Sequence, residues 1–72
     1  MSADMCLTAV MEGRGYILAG VKAGERGYYP IPDWGTFSTY EEASKAANEY
    51  NQKLGVSDRD AAILVLQSMR RN

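Results

Sequence analysis

The sequence predicts an α+β domain in which a three-stranded antiparallel β-meander packs against a C-terminal two-helix hairpin. Three observations carry this expectation. The first half of the 72-residue chain is punctuated by glycine and rich in β-branched and aromatic residues. No glycine or proline occurs between Gly35 and Gly55, and two Ser/Thr-led caps each open an apolar run with helical spacing.

The strands follow from alternation and turn chemistry. Residues 6–11 read as the first strand, and the cluster Glu12, Gly13, Arg14, Gly15 supplies a turn in which positive φ costs little. Residues 16–22 read as the second strand. Ala23, Gly24, Glu25 and Arg26 form the next turn, and residues 27–31 make a third strand. Pro30 and Pro32 lack backbone donors, which places that strand at a sheet edge or ends it there. Asp33, Trp34, Gly35 and Thr36 form the exit loop, where Trp34 is either a plug folded back over the core or an anchor for a partner.

The first helix is expected over residues 39–54. Ser38 with Glu41 matches a capping box, and Thr39 with Glu42 repeats the arrangement one residue on. Tyr40, Ala43, Ala47, Tyr50 and Leu54 recur at spacings of three and four and define its apolar face. Gly55 suits the left-handed position after the helix, with Val56 behind it covering Tyr50. The second helix is expected over residues 58–70, capped by Ser57, with Asp58 and Asp60 in its first turn and Arg70 and Arg71 at its end. Ala62, Val65, Leu66 and Met69 form the expected inward stripe. Ile63 and Leu64 lie off it, so this helix is either wedged between the sheet and the first helix or leaves one side for a second chain. Ile63 and Leu64 are therefore candidates for self-association.

Composition narrows the function classes. A chain of this length holds one core and buries only roughly 60% of the surface its unfolded form exposes. The single cysteine, Cys6, cannot close an internal disulfide, and the absence of histidine leaves no Cys/His zinc set, so no cofactor or metal is expected. Cys6 sits in an apolar stretch as a small buried hydrophobe and fits a reducing compartment. With no basic-then-apolar leader pattern and no long apolar run, the expected location is cytoplasmic. Charge is balanced, with three basic and four acidic groups in residues 1–35 and five of each in residues 36–72, which argues against a broad nucleic-acid-binding face.

Catalysis has no candidate machinery. Histidine is absent, the carboxylates are accounted for by turns and caps except Asp33, and no glycine pattern completes a phosphate-binding loop. The chain is thus expected not to be an enzyme. Two surfaces remain. Tyr28, Tyr29, Ile31, Trp34 and Phe37 concentrate rigid apolar contact area around the third strand and its exit, the composition enriched at protein-binding hot spots. An edge strand there also offers backbone groups to a partner strand. The alternative is single-stranded nucleic-acid binding: Arg14-Gly15-Tyr16 and Arg26-Gly27-Tyr28 repeat a basic-glycine-aromatic triplet, with Arg14, Tyr16 and Arg26 as contacts. A further alternative is a purely structural, homo-oligomerising protein, so that a homodimer is among the expected states.

From Gly27 to Met69 the chain resembles small phage- and prophage-type proteins. The resemblance rests on the Gly-Tyr-Tyr-Pro strand from Gly27, the Trp34-Gly-x-Phe37 turn, the Tyr40-Glu-Glu-Ala43 helix start, the Asn51-x-x-Leu-Gly-Val-Ser57 link and the apolar helix ending near Ser68 and Met69. It implies origin and fold. By analogy of size and source it also implies an inhibitor of a host defence system, of the anti-CRISPR kind.

Overall fold

A computed structural model describes residues 4–69. The chain forms strands β1 (Met5–Glu12), β2 (Gly15–Lys22) and β3 (Tyr29–Ile31), a 3₁₀ turn at Pro32–Trp34, and helices α1 (Tyr40–Lys53) and α2 (Asp58–Ser68). This is the expected meander followed by two helices. α2 ends at Ser68 with Met69 as its C-cap, two residues short of the expected end, and Arg70 and Arg71 lie outside the described residues.

The sheet is antiparallel throughout in the order β1-β2-β3. Met5 pairs with Lys22 and each step follows without interruption to Glu12 with Gly15. Leu18 to Gly20 pair with Ile31 to Tyr29, and an isolated bridge joins Tyr16 to Phe37 beyond the end of β3. Gly13 closes the first hairpin with φ of 60°. Gly15 has a different reason to be glycine: a Cβ there would lie 2.5 Å from Thr36 Cγ2 and 2.8 Å from the Phe37 carbonyl oxygen. The exit loop crosses the start of β2 at the closest approach its backbone allows.

Neighbouring residues on a strand point to opposite faces. Cys6 and Leu7 are both buried, so both faces of the sheet are covered. On one face Cys6 and Val21 pack with Val56, Ala61, Leu64 and Val65, which makes this the α2 side. On the other, Leu7 and Leu18 pack with Ala43 and Ala47 and are flanked by Ala46, Tyr50, Ile31 and Phe37, which makes this the α1 side. The helices therefore share the sheet by taking one face each, and β2 is sandwiched from Gly15 to Val21 with only Tyr16 partly open. The chain changes face between α1 and α2, passing around the outer edge of β1.

That crossing has a well-defined local structure. Val56 donates to the Asn51 carbonyl at 2.8 Å and Gly55 to Gln52 at 3.1 Å, the paired bonds of a Schellman ending, with Gly55 at φ 80°. Val56 then enters the Cys6–Val21–Leu64 cluster instead of covering Tyr50, because the chain has already turned toward the opposite face. At the start of α1, the second of the two overlapping caps is the one used. The Glu42 amide donates to Thr39 Oγ1 at 3.2 Å, and that hydroxyl donates to the Glu42 carboxylate at 3.1 Å. Ser57 caps α2 as expected, accepting from the Asp60 amide at 3.1 Å.

The register of α2 differs from the expected one. Its inward residues are Ala61, Leu64 and Val65, while Ala62, Leu66 and Met69 face outwards. The whole stripe is rotated by about one residue, because Val56 and Cys6 draw Leu64 into the core. Within the proposed self-association pair, Leu64 is only 4% exposed and is core, whereas Ile63 is 43% exposed. On α1, Ala43 and Ala47 are buried as expected, but Tyr40 and Leu54 lie mostly outside. The apolar face of α1 is narrower than its spacing suggested, and its second buried turn ends on a polar residue, Asn51, 2% exposed.

Candidate functional site

The aromatic residues around β3 stay largely at the surface. Tyr28 is 51% exposed, Tyr29 49% and Trp34 36%, while Ile31 and Phe37 are half-buried. The core beneath is already filled by aliphatic side chains from β1, β2 and α1, which leaves the rings the periphery. Ile31 and Phe37 converge on the α1 side around Tyr50. Trp34, lifted by the 3₁₀ turn that Pro32 starts, lays its ring against Tyr50 with centroids 4.7 Å apart. Trp34 is thus both plug and surface: one side of its ring covers Tyr50 and the other meets solvent.

Together these groups form a shallow cleft of about 250 Å³, floored by Trp34, Phe37 and Tyr50 and rimmed by Glu49 and Lys53. The Lys53 ammonium lies 5.4 Å from the Tyr50 ring centre, close enough for a cation–π contact. Tyr29 lies on the same face of the sheet as Ile31. Its hydroxyl donates to the Glu25 carboxylate, and the Lys22 ammonium lies 5.4 Å from its ring centre. The hydrogen bond to Glu25 and that carboxylate's charge hold the Tyr29 phenol above its ordinary pKa. Tyr28 precedes β3 in irregular backbone, and none of the aromatic contacts of this group involves it.

Backbone pairing to a partner is not available at β3. Tyr16 and Phe37 exchange hydrogen bonds at 2.9 and 2.7 Å, which fixes the alternation along β2, so Tyr29 and Ile31 direct their backbone groups inward. Pro30 is the residue facing outward, and it has no N–H to give. Strand addition was an expectation for this edge, and proline closes it.

The two basic-glycine-tyrosine triplets are not brought together. Arg14 precedes β2 and Arg26 follows it, so they lie at opposite ends of the longest dimension of that strand. Tyr16 is half-buried in the α1-side cluster, with its ring edge-on to Tyr40 at 5.8 Å between centroids. Both faces of β2 are covered, which removes the open sheet surface on which bases stack in RRM-type recognition.

Asn51 carries a role that the sequence reading did not assign to it. Its side-chain oxygen accepts from the Leu7 amide at 2.7 Å and its side-chain amide donates to the Leu7 carbonyl at 2.9 Å. It mimics one residue of a neighbouring strand. An asparagine inside an apolar helical face was the available signal. Cys6 is fully enclosed, its thiol 3.7 Å from the Ala61 carbonyl, and burial raises its pKa. Among the described residues no group of three acidic, cysteine or histidine side chains is placed to hold a metal ion. No helix among them is long and apolar enough to cross a membrane.

Comparison with protein-family models, curated proteins and solved structures returns no match.

Proposed function

We propose that the chain is a non-enzymatic protein-binding module of the cytoplasm whose contact surface is the aromatic cleft of Trp34, Phe37 and Tyr50 together with Tyr29 on the sheet face of Ile31. The carrying observation is that Tyr29 and Trp34 remain 49% and 36% exposed although both belong to a folded, well-paired part of the chain. Rings held in fixed positions lose little rotameric freedom on contact and contribute area that flexible side chains do not. The cleft is large enough for one apolar or aromatic side chain of a partner, with Glu49 and Lys53 at its rim to read a polar neighbour. Tyr28, just before the strand and 51% exposed, widens the contact. The resemblance of Gly27 to Met69 to phage-type proteins suggests that the partner is a component of a host defence system and that binding inhibits it.

The test is capture of a partner by the tagged full chain in its native host, identified by mass spectrometry, compared with Trp34→Ala and Tyr29→Ala. The expected result is a partner retained by the parent chain and lost by both variants, with unchanged far-UV circular dichroism. Capture that neither variant reduces would place the contact elsewhere. Unfolding of both would assign the rings to the core.

A further inference from the structure

The two edges of the sheet are guarded unequally. β3 is three residues long and presents Pro30 outward, whereas β1 is eight residues long and contains no proline, lysine or bulge. Those are the usual devices that keep an edge strand from pairing. The alternation fixed by the Tyr16–Phe37 bonds sends the backbone groups of Leu7, Ala9 and Met11 away from β2. Asn51 satisfies both groups of Leu7. Among the described residues, no hydrogen bond reaches the outward N–H and C=O of Ala9 or Met11. Asn51 thus closes the β1 edge at Leu7 and leaves it open at Ala9 and Met11.

The open half is set in an apolar frame. α1 and α2, on opposite faces, leave between them a groove of about 410 Å³ floored by Leu7, Thr8 and Ala9, with Tyr40 on one wall and Ala62 and Leu66 on the other. Tyr40, Leu66 and Met11 are among the most exposed large apolar side chains of the protein, with Met11 at 69%. Unpaired backbone donors and acceptors two residues apart specify an extended polypeptide as the occupant.

We propose that β1 pairs antiparallel with β1 of a second copy, with Val10 on the two-fold axis, joining two three-stranded sheets into one of six strands. The register follows from Asn51. With Leu7 closed, self-pairing that uses the open groups of both Ala9 and Met11 places Ala9 opposite Met11 of the second copy, and Met11 opposite its Ala9, giving four hydrogen bonds. Val10 then faces Val10 at the closer, non-hydrogen-bonded spacing, and Thr8 faces Glu12, so no like charges are directly opposed. A lone peptide would satisfy the backbone but cover little of the frame. A second copy brings its own Met11, Tyr40 and Leu66 to the same place, the isologous arrangement of two-fold dimers. The surface is separate from the aromatic cleft, which lies toward the β3 edge.

Sedimentation equilibrium of the full chain, combined with a cysteine placed on the axis, tests this. The expected result is a concentration-dependent monomer–dimer equilibrium, with Val10→Cys oxidising to a covalent dimer because directly opposed residues here stand about 4.5 Å apart, within disulfide reach. Ile63→Cys, on the outer side of α2, is expected not to cross-link. Met11→Lys adds a charge at an exposed edge position without touching the core and is expected to weaken association about tenfold or more, worth about 1.4 kcal/mol. Trp34→Ala is expected to leave association unchanged, so the two surfaces succeed or fail independently. A chain that stays monomeric up to millimolar concentration would overturn the proposal, as would a dimer insensitive to Met11→Lys.

Discussion

Asn51 is the residue on which the fold of this small chain turns. Its buried amide supplies both hydrogen bonds that Leu7 would otherwise obtain from another strand, at 2.7 and 2.9 Å. It does so from the turn of α1 just before the Schellman ending that sends the chain to the other face. Asn51→Ala removes both partners and leaves a buried donor and acceptor unpaired, which is expected to cost about 2–4 kcal/mol in denaturant unfolding. Asn51→Leu should do no better although it is more apolar, since the backbone groups of Leu7 stay orphaned. A loss under about 0.5 kcal/mol in either variant would show that water reaches Leu7 freely. From the sequence, Asn51 could be recognised only as a polar residue interrupting an apolar face; its partner lies 44 residues away, and no local spacing encodes that.

At the scale of elements, what was legible followed from local chemistry. The hairpin at Gly13, the Thr39 and Ser57 caps and the left-handed Gly55 are all satisfied by residues within a few positions of one another, and the structure has them where turn and cap chemistry put them. The facing of α2 was not legible, because this helix carries apolar residues around most of its circumference and its inward side is chosen by what it meets. Cys6, Val21 and Val56 select Leu64. Leu64→Ala is therefore expected to cost about 2–4 kcal/mol, whereas Ile63→Ala, on the open side, should cost well under 1 kcal/mol. Thermal or urea melts of the two variants discriminate directly between this facing and the rotated one, in which the order would be reversed. The aromatic site was legible in composition but not in grouping: Ile31, Trp34 and Phe37 converge on the α1 side, Tyr29 shares the sheet face of Ile31, and Tyr50 joins them from a helix.

Across the whole molecule, the sheet is covered on both faces by one helix each, and this explains why Cys6 is inaccessible although it stands near the start of an edge strand. Burial raises the pKa of its thiol. The folded state therefore favours the neutral form: the associated stability is fully present below the unfolded thiol pKa of about 8.5 and is lost as pH rises through the higher folded value. Unfolding free energy measured at about pH 7 and about pH 10 should fall more for the parent chain than for Cys6→Ala. Equal losses would mean that the buried thiol does not contribute to the alkaline limb. Among the described residues, the same arrangement leaves the outward backbone groups of Ala9 and Met11, beyond the reach of Asn51, without a hydrogen bond. Residue-resolved amide hydrogen exchange of the dilute chain addresses that division most directly. Slow exchange at Leu7 with fast exchange at Ala9 and Met11 is the predicted pattern; Ala9 and Met11 protected as strongly as Leu7 at the lowest concentrations would contradict it.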